Sequence, residues 1–506
     1  MGETSEFTRV LIANRGEIAL RIIRACHEEG LEAVAVFSEA DRLSPHVRAA
    51  DLAVPIGPPA AIDSYLNIGA LLAAARATDC GAIHPGYGFL SERAPFAEAV
   101  ERAGMVFVGP PASAIRAMGD KIEARRRMQA AGVPIVPGST QPVDDLTQAR
   151  TQAARIGFPV LLKAAAGGGG KGMRIVRDAA ELESAFEAAR SESLKAFGAD
   201  TIYLEKYLER PRHIEVQVLA DTQGRVIALG ERECSVQRRY QKLIEEAPSV
   251  AVSPALRRRL SEAATAAAGS VGYVGAGTIE FLLTSSGVFY FLEMNTRIQV
   301  EHPVTELVYG VDLVREQLRI AAGKPMRVHA GTLNPRGHAI ECRITAEDPF
   351  NDFLPATGVV RYLQVPGGPG VRWDGGVESG NAVTLFYDPL LGKLIVWAET
   401  REIAIRRMAR ALRELVIVGL PTSQAFHLLV MDDPTFQQGE VDVTYMDRFG
   451  LGHLPRGTRE ELVRPLAVLA ALLAEERRVT AAPPIARAPD RLSAWEVEAR
   501  REALRE

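Results

Sequence analysis

The segment FPVLLKAAAGGGGKGMRIV, Phe158 to Val176, sets four consecutive glycines beside a lysine between two apolar runs. Glycines that open a helix and glycines that turn one strand into the next belong to different architectures. Gly167, Gly169 and Gly172 match G-x-G-x-x-G, a pattern common in any glycine-rich loop. Upstream lies the strand pattern VLLKA, downstream the short strand RIV, and only then the helical pattern AAELESAFEAARSESLKAF. The glycines therefore join strand to strand. A phosphate loop of the G-x-x-x-x-G-K-[ST] type is excluded: Ala165 stands five before Gly170, and Lys171 is followed by Gly172, which has no hydroxyl. Two readings stay open. One is a hairpin flap whose N–H groups fold over phosphates while Lys163 reaches the same charge from its strand. The other is a plain glycine loop.

Before this segment the chain alternates strand and helix. VLIAN, the helix EIALRIIRACHEE stopped by Gly30, and AVAVFS predict a parallel sheet over the first ~115 residues. The turn NRGE has one glycine where a dinucleotide fingerprint needs three, so an ordinary βα turn is preferred. IHPGYGFLSE, Ile83 to Glu92, follows a strand at its carboxyl end, where open sheets bind ligands. A helix from Lys121 to Ala131 leads to AGVPIVPGS, which reads as a boundary.

Beyond it, GAGTIEFLLTSSGVFYFLEMNTRIQVEHP, Gly275 to Pro303, predicts a hairpin. With Leu283 paired to Val288, Glu280 faces Phe291, and Glu280, Glu293 and Asn295 share one face. The two acids are then diagonal neighbours at about 7–8 Å. Their oxygen-only donor set fits magnesium, and the alternative is the wet side of the sheet. Arg297, Gln299 and Glu301 follow at alternate positions, a cradle for a small oxyanion with a base beside it.

Composition agrees with a folded globular chain. Of 506 residues, 47% are hydrophobic and 24% charged, which predicts real cores and two to four domains. A net charge of −4 gives no footprint for nucleic acid, and the run Arg125–Arg127 reads as a solvated helix face. Four scattered cysteines without C-x-x-C predict free or buried thiols, Cys234 among them as a structural residue. No signal-peptide pattern and no apolar run of 18 residues is present, so the expected location is cytoplasmic, without membrane association.

EMNTRIQVEHPVTE, HPGYGFLSE, GGGGKGM, EKYLERPRHIEVQVLAD and ERECSVQRRYQKLIEEAPS, taken together, closely resemble the biotin carboxylase family of ATP-grasp ligases. The likeness runs from about residue 6 to 450, through GHAIECRITAEDP and YDPLLGKLIVWAETR. It implies an α/β chain of three parts followed by a tail. These are a Rossmann-like N-terminal domain (6–119), an ATP-grasp domain (120–322) with a mobile glycine-rich lid at about 136–208, and an α+β C-terminal domain (323–450). The tail, 451–506, is helical with a Pro/Ala linker.

The resemblance also implies site residues. Lys121, Lys163, Gly169, Gly170, Glu205, Lys206, Tyr207, Leu208, His213 and Gln237 would bind ATP, with Glu280, Glu293 and Asn295 on Mg2+ or Mn2+. Lys242, Arg297, Gln299 and Val300 would hold bicarbonate. Glu301 would be its base, Arg343 would stabilise the biotin enolate, and Tyr87 would lie near the biotin. The implied reaction passes through carboxyphosphate to N1′ of biotin, the first half of an acetyl-CoA or other acyl-CoA carboxylation. Three departures are visible: Tyr240 where some members carry histidine, Ala166 for a fifth glycine, and Lys171 for arginine.

No lysine sits between two methionines as in a biotinylated carrier, so a biotin carrier protein and a carboxyltransferase are expected on separate chains, with a homodimer as the assembly. In the tail, TREELVRPLAVLAALLAEERR and RLSAWEVEARREALRE are helix candidates, the second with Ser493 as a possible cap. They would dock a partner chain or pack back on their own domain.

Overall fold

The computed structural model describes residues 7–139, 142–164, 173–197, 201–329 and 333–450, together with 468 and 471–473. The chain divides into two units, Met1–Phe449 and Gly450–Glu506. In the second unit the four described residues of the tail are helical, and Ser493 and the rest of the tail lie outside the described residues. Among the described residues no helix is long and apolar enough to cross a membrane.

The first sheet is parallel. Its strands β1 (Arg9–Ile12), β2 (Glu32–Ser38), β3 (Leu52–Gly57), β4 (Ala82–His84) and β5 (Val106–Phe107) run in the order β3-β2-β1-β4-β5. Val10 and Ile12 enter one apolar cluster and Leu11 another, because successive side chains take opposite faces and both faces are covered. The strand order reverses beside β1, so the loops after β1 and β4 open on one crevice. Asn14 laces them together, its Nδ2 donating to the carbonyls of Pro85 at 2.8 Å and Tyr87 at 2.7 Å. Gly86 passes so close, at φ +62°, that a Cβ there would lie 2.9 Å from the Asn14 amide nitrogen.

The glycine-rich segment is flanked as expected. β6 (Val160–Ala164) and β7 (Arg174–Val176) pair antiparallel, with Leu162 opposite Arg174, and β8 (Ile202–Lys206) lies on the other side of β6. Residues 165–172, including Gly169 and Gly170, lie outside the described residues. Helix Leu146–Ile156 precedes this small sheet in sequence and helix Leu182–Phe197 lies between β7 and β8, and Ala149, Val160, Leu162, Phe186 and Leu204 give it a core of its own.

The site is carried by an antiparallel sheet of eight strands. β9 (Arg212–Ala220), β10 (Val226–Arg238), β11 (Gln241–Ala247), β12 (Gly275–Leu283), β13 (Phe289–Asn295) and β14 (His338–Thr345) are joined by strands Leu390–Ala398 and Val371–Gly375. The order is β13-β12-β9-β10-β11-β14, then 390–398, then 371–375. Ile214, Val216, Val218, Ile279 and Phe281 pack one face against Leu260 and its helix Pro254–Gly269. By the same alternation His213, Glu215, Gln217 and Glu280 take the other face.

Two expectations need correction. Leu283 pairs with Phe289 rather than Val288, and the register slips by one between Phe281–Phe291 and Glu280–Glu293. Leu292 is the extra residue of a bulge, so Glu280 and Glu293 stand directly opposite each other instead of diagonally. The turn is longer than expected, closed by Thr284 N–H on the Val288 carbonyl at 2.8 Å. The outer edge of β13 is also engaged, Phe291 N–H donating to Pro134 O at 2.7 Å, so the Pro-rich boundary segment is pinned to the sheet. Second, Arg125 is not on a solvated face: it is buried between Glu205 and the Val136 carbonyl, while Arg126 and Arg127 do face outward on Glu123.

Candidate active site

Lys242 is the centre of the site. From β11 its Nζ reaches Glu215 Oε2 on β9 at 2.6 Å, Glu280 Oε1 on β12 at 2.9 Å and Glu301 Oε1 at 2.6 Å. All three carboxylates are buried. Each has a second cationic partner: Arg232 for Glu215, His213 Nε2 at 2.8 Å for Glu280, and Arg343 at 2.9 Å for Glu301. Burial alone would raise the pKa of Glu280, but Lys242 and His213 hold it well below the usual carboxylate range. Burial likewise acts on Glu301 and is overcome by Lys242, Arg343 and Arg232, which keep it strongly ionised. The candidate metal-type clusters His213–Glu215–Glu280 and Glu215–Cys234–Glu301 are thus already served by an ammonium ion. Cys234 itself is inert, since burial drives its thiol pKa far up.

Around this centre the segment after β13 folds as expected in content. Arg297 donates to Gln299 Oε1 and Asn295 Oδ1, both at 3.0 Å, and Gln299 and Asn295 donate to Glu280 Oε1 at 3.1 and 2.8 Å. Glu301 is the N-cap residue of helix His302–Tyr309. Glu293, opposite Glu280, opens to solvent, and crowding by protein followed by the Glu280 charge raises its pKa. Burial lowers the pKa of Lys121 against the pull of Glu293, and Lys163 lowers it further. Lys163 in turn pairs with Glu205 at 2.5 Å. Lys121, Lys163, Glu205 and Glu293 therefore form one electrostatic neighbourhood.

Other expected residues sit apart from it. Lys206 donates its ammonium to the carbonyls of Gly157 and Phe158 at 3.0 and 2.8 Å and its main-chain N–H to Pro137 O at 2.7 Å. Tyr207 N–H is bonded to Pro159 O, and Leu208 follows it past the end of β8. Gln237 pairs with Lys242 across β10 and β11. Tyr87 donates its hydroxyl to Glu17 at the crevice of the first sheet.

Sequence reasoning missed four supporting groups. Glu92 holds Arg297 Nε at 2.8 Å and the Thr296 N–H at 3.0 Å, and Glu215 is the third carboxylate on Lys242. Arg232, fully buried, also bonds Gln217 at 2.8 Å and Thr305 at 2.9 Å, and Glu245 accepts from Arg343 at 2.6 Å. All four lie inside the quoted motifs, and the parity of Glu215 with His213 was the available signal.

Burial raises the pKa of Glu245 to about 7, Arg343 opposing the shift and Glu301 adding to it. A carboxyl whose folded pKa exceeds its unfolded one favours folding while protonated. Its contribution is fully present below the ordinary 4.5 and is lost as pH rises through about 7. Glu245→Gln, which keeps an acceptor for Arg343, is expected to remove that loss. Urea denaturation of both proteins across this window checks it, and parallel pH curves would refute the assignment.

Similarity to known proteins extends along nearly the whole first unit. Family models for the biotin carboxylase N-terminal domain, the carbamoyl-phosphate synthase L chain ATP binding domain and the biotin carboxylase C-terminal domain match residues 6–115, 120–329 and 341–448. The biotin carboxylase of Nostoc sp. is 55% identical over 441 residues, 87% of this chain and 99% of the relative. The biotin carboxylase of Haemophilus influenzae is 53% identical, with 87% of this chain and 98% of that one covered. A biotin carboxylase domain dimer of Hydrogenobacter thermophilus 2-oxoglutarate carboxylase, solved with MgADP, ADP and bicarbonate, superposes with a TM-score of 0.84. Its identity is 47%, covering 87% of this chain and 97% of that one. With its parallel sheet, its carboxylate-bearing antiparallel sheet and three consecutive domain matches, this chain belongs to the biotin carboxylase family of ATP-grasp ligases.

Proposed function

We propose that this enzyme carboxylates biotin held on a separate carrier chain, using ATP and bicarbonate, and that the residues around Lys242 perform the chemistry. The observation that carries this reading is the junction itself: one ammonium joins three buried carboxylates, and Arg343 reaches the same Glu301 from the C-terminal part.

Lys242 and Arg297 attract bicarbonate, an anion that must approach the phosphates of another; without cations that encounter is strongly repulsive. Glu301 is the base. A carboxylate so well stabilised is a weak base, and the substrate changes that. An anion that draws Lys242 away and adds its own charge nearby raises the pKa of Glu301 on both counts. The base thus strengthens when its substrate is present. Gln299 and the Val300 main chain orient the anion, and Arg343, released from Glu301, is placed to stabilise negative charge on the biotin ring beside Tyr87.

ATP binding is assigned to Lys121, Lys163, Gly169, Gly170, His213 and Gln237, with Glu205 to Leu208 serving the base and ribose. Glu280 and Glu293, directly opposite with one raising the pKa of the other, are an oxygen donor set that fits Mg2+ or Mn2+, with Asn295 alongside. Such an ion would neutralise charge on the transferring phosphoryl group.

The same proposal places domain limits at 119, 322 and 450, has residues 451–506 dock a partner chain, and expects a cytoplasmic homodimer working with a separate carboxyltransferase. The acyl acceptor is then chosen by that transferase. ADP release from ATP and magnesium, with bicarbonate and free biotin each omitted in turn, tests the core of it. Release that needs both is expected, and turnover indifferent to biotin would overturn the reading.

A further inference from the structure

Lys393 is fully buried on strand Leu390–Ala398, opposite Arg343 on one side and Asp374 on the other. Its Nζ donates to the Val300 carbonyl at 2.7 Å and lies 3.0 Å from Glu17 Oε1 and 3.9 Å from Asp374. Glu17 opens the helix Gly16–Glu28 that follows β1, and its Oε1 also accepts the Tyr87 hydroxyl. Its Oε2 is buried without a hydrogen-bond partner. One ammonium therefore joins the crevice of the first sheet, the segment leading to Glu301, and the C-terminal strand.

Burying an ammonium is expensive, and a well-packed apolar residue would serve a purely structural role as well or better. The carbonyl it holds belongs to the peptide between Val300 and Glu301. That peptide sets where the Glu301 side chain leaves the main chain, hence whether its two oxygens meet Lys242 and Arg343. Through Glu17, the same ammonium fixes the Tyr87 hydroxyl.

We infer that Lys393 is a positioning residue that aligns Glu301 and, by way of Glu17, Tyr87, so that bicarbonate activation and biotin placement share one anchor. The inference rests on the site roles proposed above. It is tested in the full-length chain with Lys393→Met/Glu17→Gln, which removes both buried charges together, and with Lys393→Arg, which keeps the charge but not a single compact donor at the Val300 carbonyl. Misplacement of a reacting group by about 1 Å costs on the order of 100-fold. Both variants are expected to lose about that much kcat in bicarbonate-dependent ADP release and to raise the KM for free biotin, while the KM for ATP stays within about twofold. A folded variant with wild-type kcat and biotin KM would overturn the inference. So would kcat and ATP KM failing together, because that marks a general structural loss. Wild-type turnover indifferent to biotin would instead overturn the underlying reading, so the two failures are separable.

Discussion

Lys242→Met is expected to cost about 3–5 kcal/mol of folding stability at neutral pH and to lower turnover by about 100- to 1,000-fold. The stability loss comes from Glu215, Glu280 and Glu301, which keep one cationic partner each but lose the ammonium that lies among all three. The pH dependence has a definite sign. Glu280 and Glu301 have folded pKa values below their ordinary ones, so their contribution is present above 4.5 and is lost as pH falls through the lower folded values. The gap between wild type and variant should therefore be widest near neutrality and shrink in acid. Urea denaturation at several pH values measures it. A gap that widened in acid would show that the carboxylates are not what Lys242 stabilises.

Glu301→Gln should leave the fold largely intact and remove the chemistry. The amide can still accept hydrogen bonds at Oε1, and Arg343 keeps Glu245 at 2.6 Å. The proton acceptor is gone, so kcat for biotin-dependent ADP release is expected to fall by about 100- to 10,000-fold with little change in the KM for ATP. Retention of activity within about tenfold of wild type would place the base elsewhere.

Local patterns foretell the strands and their faces well. The alternation from Val10 onward, the strand-to-strand setting of the glycine run, and the shared face of Glu280, Glu293 and Asn295 all follow from side-chain periodicity, which is local. The bulge at Leu292 does not, because no glycine or turn residue marks it; it accompanies a long turn and a distant edge partner at Pro134. Arg125 escapes for a similar reason. Its partner Glu205 is 80 positions away, and a helix face looks solvated until another element covers it. At the site, Lys242 and Glu301 are legible through their motifs, whereas Glu215, Arg232 and Glu245 matter by where three separate strands bring them.

The eight-stranded sheet has a practical consequence for dissecting the enzyme. β11 and β14 are neighbours in it, Ile244 facing Cys342 and Glu246 facing Ile340, although some ninety residues separate them along the chain. A fragment ending between positions 322 and 338 would leave β11 paired with β10 alone and bare the N–H and C=O groups along its other edge, from Ile244 to Ala247. Such an edge invites intermolecular pairing. A limit drawn by sequence homology is thus a poor place to cut: fragments made there should self-associate, whereas a cut near 450 leaves every strand of this sheet with its neighbours.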